Sequence, residues 1–358
     1  MACSFPSSTN SAPSQSLHEA RSLDSAELNE TLSMQIPQNI QAQSPSAPSL
    51  SIFDMELLHH FVISTCYTLS PAPAVRAIWR EEAPRLGFTM PAVLHAILAV
   101  SALHLAHSNP SRRVSCISRA HEHHNTAVRI VTPDLPSLTS HNGDEIFLFS
   151  ALTCIFACAN ARYERNFLMF FESGHLAEWA LLFRGTKTII DYSEHDFPRG
   201  KLGPIFVNGM LLSATRSGEQ ALEHGLMYVW ELKQMISREC SHDDACCEMY
   251  QNAVNSLAKI LGVVMKPGEG PTLQSADVFV WLLEVSDGYL EQLLQEAPIA
   301  LIIFGYFCVA LRQIECMWWT DGLSGQLMEQ LYAVLDEHYQ GWLRWPKEQI
   351  CQNIPGST

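Results

Sequence analysis

The chain has 358 residues, of which 47% are hydrophobic and only 16% charged, where ~25% charged is usual for a soluble domain, so there is ample apolar material for a large core. Its net charge of −15, from 22 basic and 37 acidic residues without any lysine or arginine run, argues against direct binding of nucleic-acid phosphates. The amino terminus lacks a basic stretch followed by an apolar one, so no secretory signal is expected and the chain is expected to stay inside the cell.

Residues 1–50 hold about a dozen serines and five prolines with few large apolar side chains, a composition that cannot offset its ordering entropy and predicts disorder. A short interaction helix over Leu23 to Met34 is the alternative there. From Ser51 onward the apolar residues recur at helical spacing, over 52–67, 74–82, 91–107, 112–131, 143–161, 176–183, 204–237, 243–260, 274–286, 289–293, 298–317 and 323–343. No sustained period-two alternation is present, which predicts no sheet. The linkers are punctuated by turn residues, as at Ser108-Asn109-Pro110 and Gly268-Glu269-Gly270-Pro271. No internal repeat appears, which argues against a regular solenoid. The expected fold is therefore all-α, an irregular orthogonal helical bundle over residues 51–347, with a flexible tail at 348–358. One domain is expected, of a size at which two closely packed helical halves are an option. The longest apolar run, Ile299 to Leu311, is ~13 residues against the ~20 of a membrane span, so no span is expected.

The segment Val93 to His107 is the most telling. Leu94, Ile97, Leu98, Ser101 and Leu105 make one stripe, while Ala96, Ala99, Ala102 and Ala106 make the other side small rather than charged, so the helix is expected to be buried all round. Around it stand Leu57-Leu58-His59-His60-Phe61, Ile78-Trp79-Arg80, Pro84, Leu86 and Phe88, and after it Trp179, Leu181, Leu182, Arg184 and Gly185. Near the end come Pro298, Ala300, Leu301, Trp318, Trp319 and Leu343-Arg344-Trp345-Pro346. In this order and spacing the residues resemble the carboxy-terminal effector domain of fungal zinc-cluster transcription factors, especially the sterol uptake control type, over roughly residues 50–347. The resemblance implies a helical domain that binds a sterol and switches a regulator's activity in the nucleus. The matching residues are scaffold positions, so no sterol-contacting residue carries over. The zinc cluster of that family takes six cysteines within about 30 residues, and the first 50 residues here hold only Cys3, so DNA binding does not carry over either.

No catalytic carrier is visible. His121, His123 and His124 look like metal ligands, but i and i+2 point apart on a helix and the pair His121 and His124 lacks a third ligand, so a solvated face is the expectation. His59 with His60 and His104 with His107 fail likewise, and Arg112, Arg113 and Arg119 read as a solvated face. Asp243, Asp244 and Glu248 form a DDxxxE pattern like the magnesium-binding carboxylates of helical terpene cyclases, but no second motif follows, and Ser241 with the two aspartates reads as a helix cap. Gly322-Leu323-Ser324-Gly325 lacks the strand and second glycine of a nucleophile elbow and reads as a turn. The eleven cysteines are odd in number, scattered and without a CxxC pair, and are expected to be free thiols. No cofactor, metal or DNA-binding residue is assigned.

An apolar pocket is the remaining chemistry, with Phe147, Phe156, Trp179, Phe304, Tyr306 and Trp318 as candidate lining residues. Three readings stay open. The first is a transcription-regulator-like effector domain that senses an apolar metabolite or binds other regulators, as a homo- or heterodimer, without touching nucleic acid. The second is a helical small-molecule enzyme or carrier of secondary metabolism. The third is the product of a zinc-cluster gene whose cluster-coding exon lies upstream of Met1.

Overall fold

The computed structural model describes residues 50–133, 143–163, 201–203, 205, 227–264 and 273–351. At Ser51 the chain enters α1 (Ile52–Ile63) through a capping box: the Ser51 hydroxyl accepts the Asp54 N–H at 3.3 Å, and the Asp54 carboxylate accepts the Ser51 N–H at 2.7 Å. A 3₁₀ turn at Thr65–Thr68 follows, then α2 (Pro73–Ala77), a π-helical stretch Ile78–Glu82 and α3 (Ala83–Gly87). Helix α4 (Pro91–Ser108) starts with Pro91 in its first turn, where the missing N–H costs nothing. A Cβ on Gly87 would stand 3.2 Å from the Leu94 backbone, so the glycine lets α3 end directly against α4. Helices α5 (Arg113–Val131) and α6 (Gly143–Ala161) complete this first set, with α4 packed extensively on α5, then α6, α3 and α1. The burial expected of α4 is found on nearly every face: Ile97, Leu98, Ser101 and the four alanines are buried, while Leu94 and Leu105 at the two ends of the stripe are half-buried.

The second set comprises α7 (Met227–Glu239), α8 (Asp244–Val264), α9 (Ser275–Glu284), α10 (Asp287–Leu294), α11 (Pro298–Arg312), α12 (Leu323–Val334), α13 (Glu337–Gln340) and α14 (Arg344–Cys351). Its axis is α11, buried at every position from Ala300 to Leu311 and flanked by α8, α12 and α14. The aromatic centre is Trp281, stacked on Phe307 at 4.8 Å with Phe304 at 6.5 Å and Tyr289 at 5.7 Å. Each polar tip finds a backbone carbonyl: Trp281 Nε1 donates to Ala253 at 2.9 Å, and the Tyr289 hydroxyl donates to Ala300 at 3.0 Å.

The protein is all-α, with no strand among the described residues. The expected helix over 52–67 breaks at Ser64, and the one over 298–317 stops at Arg312. There the Thr320 hydroxyl donates to the Ile314 carbonyl at 2.6 Å, giving the chain a partner other than the helical ladder, and Gly322 at φ 77° reverses it into α12. The stretch 323–343 is likewise interrupted: Leu335 is extended, and the Asp336 carboxylate accepts the Tyr339 N–H at 3.1 Å to begin a new helix. The expected helices over 23–34 and 176–183, most of 204–237 and most of the expected tail lie outside the described residues.

No span was expected from the apolar run lengths, but among the described residues two helices, α4 and α6, are long and apolar enough to cross a membrane by length and composition, at mean hydropathy 1.4 each. Both have 72% of that stretch buried inside the protein, and both bury polar groups there, among them His95, Ser101 and His104 on α4 and Ser150, Thr153 and Asn160 on α6.

Candidate functional site: the polar seam along the central helix

Two imidazole pairs punctuate the apolar length of α4. At its start, His95 Nδ1 lies 2.8 Å from His123 Nδ1, and His123 Nε2 lies 3.0 Å from Asp54 Oδ1. Arg119 grips the same carboxylate in a fork, Nε on Oδ1 at 2.9 Å and Nη2 on Oδ2 at 2.6 Å. Asp54, His95 and His123 are all buried, so α1, α4 and α5 meet on one closed polar network. Burial alone would raise the Asp54 carboxyl. The Arg119 fork, the Ser51 N–H and His123 outweigh it and hold the group well below the usual carboxylate range. Burial lowers His123, opposed by Asp54, and burial together with the neighbouring His123 pushes His95 down to about 4. Two neutral rings account for both contacts: His123 donates from Nε2 to the carboxylate and accepts at Nδ1 from the Nδ1–H of His95.

Toward the other end of α4, His104 Nδ1 receives two neighbours, Thr65 Oγ1 at 2.9 Å and His60 Nε2 at 3.1 Å. Burial and the adjacent His60 and His107 bring His104 down to about 4, and burial lowers His60 and His107 as well. The His104 ring packs 4.9 Å from Trp318, which lies in the turn after α11 and whose indole N–H donates to Thr68 at 2.9 Å. His107 stands 5.9 Å from the same indole and is bonded at 2.7 Å to Arg162, which also pairs with Asp321. These contacts join the first helix set to the second.

The arrangement holds helices together through imidazoles that burial keeps neutral and one buried carboxylate. It also corrects the solvated-face reading of α5, because His123 and His124 are buried and Arg119 serves a buried carboxylate. The signal was present in the sequence: Cys116, Ala120, His123, Ala127 and Val131 recur at three and four residues, which places His123 on the inner stripe. Its partners were not legible, since Asp54 lies 69 residues away.

Of the six candidate pocket residues, Phe147 and Phe156 lie in the first set, with Phe156 stacked on His124 at 4.0 Å and meeting His121 edge-on. Phe304 and Tyr306 lie two residues apart on α11, one beside Phe307 at 5.3 Å and the other 5.2 Å from Trp345. Trp318 is at the seam, and Trp179 lies outside the described residues. A cavity of about 430 Å³ opens between α8 and the α9–α10 junction, lined by Glu248, Met249, Asn252, Ser256, Glu284 and Ser286 among others, and by none of those six. The DDxxxE carboxylates part company here: Asp243 Oδ1 accepts the Cys246 N–H at 3.0 Å as the cap of α8, and Glu248 lines the cavity.

The comparisons with known proteins agree with this architecture. Residues 56–277 match the family described as the fungal specific transcription factor domain, and the chain belongs to that family. Among its relatives is the Zn(2)-C6 fungal-type transcription factor afumD of Aspergillus fumigatus, 25% identical over 274 residues, 72% of this chain and 68% of that protein. A Zn(2)-C6 fungal-type transcription factor of Gibberella zeae is 21% identical over 94% of this chain and 71% of its own length. Sterol uptake control protein 2 of Saccharomyces cerevisiae is 28% identical over 114 residues, 32% of this chain and 12% of that protein. The residues present do not fit a zinc cluster of the kind those names carry. Only Cys3 precedes the matched region, and among the described residues no group of three or more His, Cys, Asp or Glu side chains is placed to hold a metal.

Proposed function

We propose that this regulator's helical domain is the effector part of a nuclear transcription factor system, working through other regulators. In this reading an apolar metabolite, a sterol or a secondary metabolite, or a partner regulator shifts the packing of the two helix sets across the Trp318 seam. The observation that carries it is the family match over 56–277, together with relatives that are transcription factors along most of this chain. A ligand acts on such a device only through different affinities for two helix arrangements. The printed name of the yeast relative, which concerns sterol uptake, supports the sterol class.

The test is to tether the full chain to a heterologous DNA-binding domain and read a reporter gene in a fungal host, with and without sterol depletion. The expected outcome is a change in reporter output that responds to depletion and is altered by Trp318→Ala. A reporter indifferent to the tethered chain, with an unchanged transcriptome on deleting the gene, would overturn the regulator reading. An enzyme remains the competing class. Metal-dependent turnover lost on Glu248→Ala would favour it over the regulator.

A further inference from the structure

Arg112 and Arg113 are the chain's only adjacent pair of Lys or Arg residues, and they stand three and two residues ahead of Ser115. A 3₁₀ turn, Pro110–Arg112, leads into α5, and Ser115 lies in the first turn of that helix with its hydroxyl donating to the Arg112 carbonyl at 2.9 Å. Ser111, Arg113, Val114 and Ser115 are exposed, Val114 to 85%, and the first side chain to enter the core is Cys116. The N–H groups of a helix's first turn have no acceptor within it, so drawing residues 111–115 away from α5 removes no side chain from the core. Arg112, Ser115 and Arg119 form one stripe, at spacings of three and four. Both arginines of that stripe hold α1. Arg112 forks the Glu56 carboxylate, Nη1 on Oε1 at 2.5 Å and Nη2 on Oε2 at 2.9 Å, with its guanidinium 5.0 Å from the centre of the Phe53 ring, and Arg119 forks Asp54.

We propose that Ser115 is a phosphorylation site for an arginine-directed serine kinase, and that its phosphate takes Arg112 away from Glu56 and so loosens α1 from α5. A kinase with an acidic substrate groove selects a serine by the arginines ahead of it, which is discrimination by charge pattern. Arg129 before Thr132 and Arg238 before Ser241 supply a single arginine each, whereas Ser115 has two. With MgATP as co-reactant, the Ser115 oxygen bonds to the γ-phosphorus as the bond from that phosphorus to the β,γ-bridging oxygen breaks. ADP leaves with the electron pair, and the hydroxyl proton passes to the kinase's catalytic carboxylate.

The phosphate carries about two negative charges at neutral pH and three acceptor oxygens, one helical turn from Arg112 and from Arg119. Its effect on the two arginines differs because their partners differ. The Arg112–Glu56 pair faces solvent, where an ion pair contributes little, so the phosphate displaces Glu56. Asp54 is 1% exposed and also holds the Ser51 N–H and His123, so taking Arg119 from it would leave a buried charge short of its partner. Phosphorylation therefore frees α1 at Phe53 and Glu56 while the Asp54 network stays closed.

The test is to incubate the purified full chain with MgATP and the catalytic subunit of an arginine-directed serine kinase and to locate phosphoserine by tandem mass spectrometry. A synthetic peptide of residues 109–118 serves as the substrate control. The expected result is phosphate on Ser115, absent in Ser115→Ala and retained in Ser118→Ala. In Arg113→Ala, which keeps the Arg112 fork, the labelling rate is expected to fall about tenfold, the loss of one charge-assisted contact to the kinase. Hydrogen exchange of the α1 amides is expected to quicken about twofold to fivefold in the phosphorylated chain, as on losing one exposed ion pair, and to quicken equally in unphosphorylated Glu56→Gln. A chain that stays unlabelled at Ser115, whether or not the peptide is labelled, overturns the proposal. So does exchange in α1 that the phosphate leaves unchanged.

Discussion

The two helix sets are built on opposite economies. The first threads ionised and imidazole groups through its interior, with Asp54, His95, His104, His123 and their partners set among alanine and leucine. The second fills its centre with rings, Trp281, Phe304, Phe307 and Tyr289, whose few polar atoms are bonded to backbone carbonyls. A buried polar network fixes which groups meet, because each misplaced donor leaves another unpaired, whereas stacked rings fix shape and volume. The first set should therefore answer to protons and the second to size.

The largest single loss is expected from Trp281→Ala, which removes a fully buried indole and empties the aromatic centre, at a cost of about 4 kcal/mol in denaturant unfolding. That cost should be the same at pH 7.5 and pH 5, since none of the rings packed on Trp281 titrates in that interval. A cost that changes strongly between the two would break the contrast.

Acidification should find the first set instead. His95 and His104 have folded-state pKa values near 4 against an ordinary 6.5, so the unfolded chain binds more protons between those values. Their stabilisation is fully present above about pH 6.5 and is lost as pH falls toward 4, amounting to about 3 kcal/mol for the two together by pH 5. Equilibrium unfolding at a series of pH values should show this fall, and a His95→Gln, His104→Gln double variant should show a shallower one. Equal slopes would mean that the imidazole pairs do not hold this set together.

Asp54→Asn sharpens the same point with less force. It keeps the side chain's shape but takes the charge from the Arg119 fork, for a cost of about 2 kcal/mol. Because the Asp54 carboxyl is held well below its ordinary range, its contribution is present above about pH 4 and lost only on stronger acidification, so the difference between Asp54→Asn and the parent should stay constant from pH 7.5 to 5.

Much of this division was legible in the sequence, though unevenly. The all-α class, the burial of α4 and the extent of α5 and α6 followed from apolar residues at three and four, which depend only on neighbours along the helix. The break at Arg312 was not legible, since it depends on a threonine hydroxyl reaching a carbonyl six residues back. The polar network was half legible: the stripe placed His123 inside, but pairing it with Asp54 and His95 requires three helices already assembled. The DDxxxE pattern was legible as a cap, since Asp243 does cap α8, but that Glu248 lines a cavity depends on α9 and α10 packing beside it and could not be read from spacing.

The smallest effect tests whether size rules the second set. A methyl group on Gly305 of α11 would fall 2.3 Å from the Leu343 Cδ2 and 3.6 Å from the Leu331 Cδ1. Alanine favours a helix over glycine by about 1 kcal/mol, and overpacking a buried contact costs about 1–3 kcal/mol. Leu343 is fully buried and has little room to turn, so Gly305→Ala should come out destabilised by about 1 kcal/mol net. Leu343→Ala alone opens a cavity and costs about 2–4 kcal/mol, but together the two changes place the new methyl in the vacated space. The double variant should therefore be more stable than the sum of the singles by about 1 kcal/mol, the coupling expected of residues in contact. Strict additivity would show that α11 and the segment leading into α14 shift apart to accommodate the methyl, and that shape governs this set less tightly than charge governs the first.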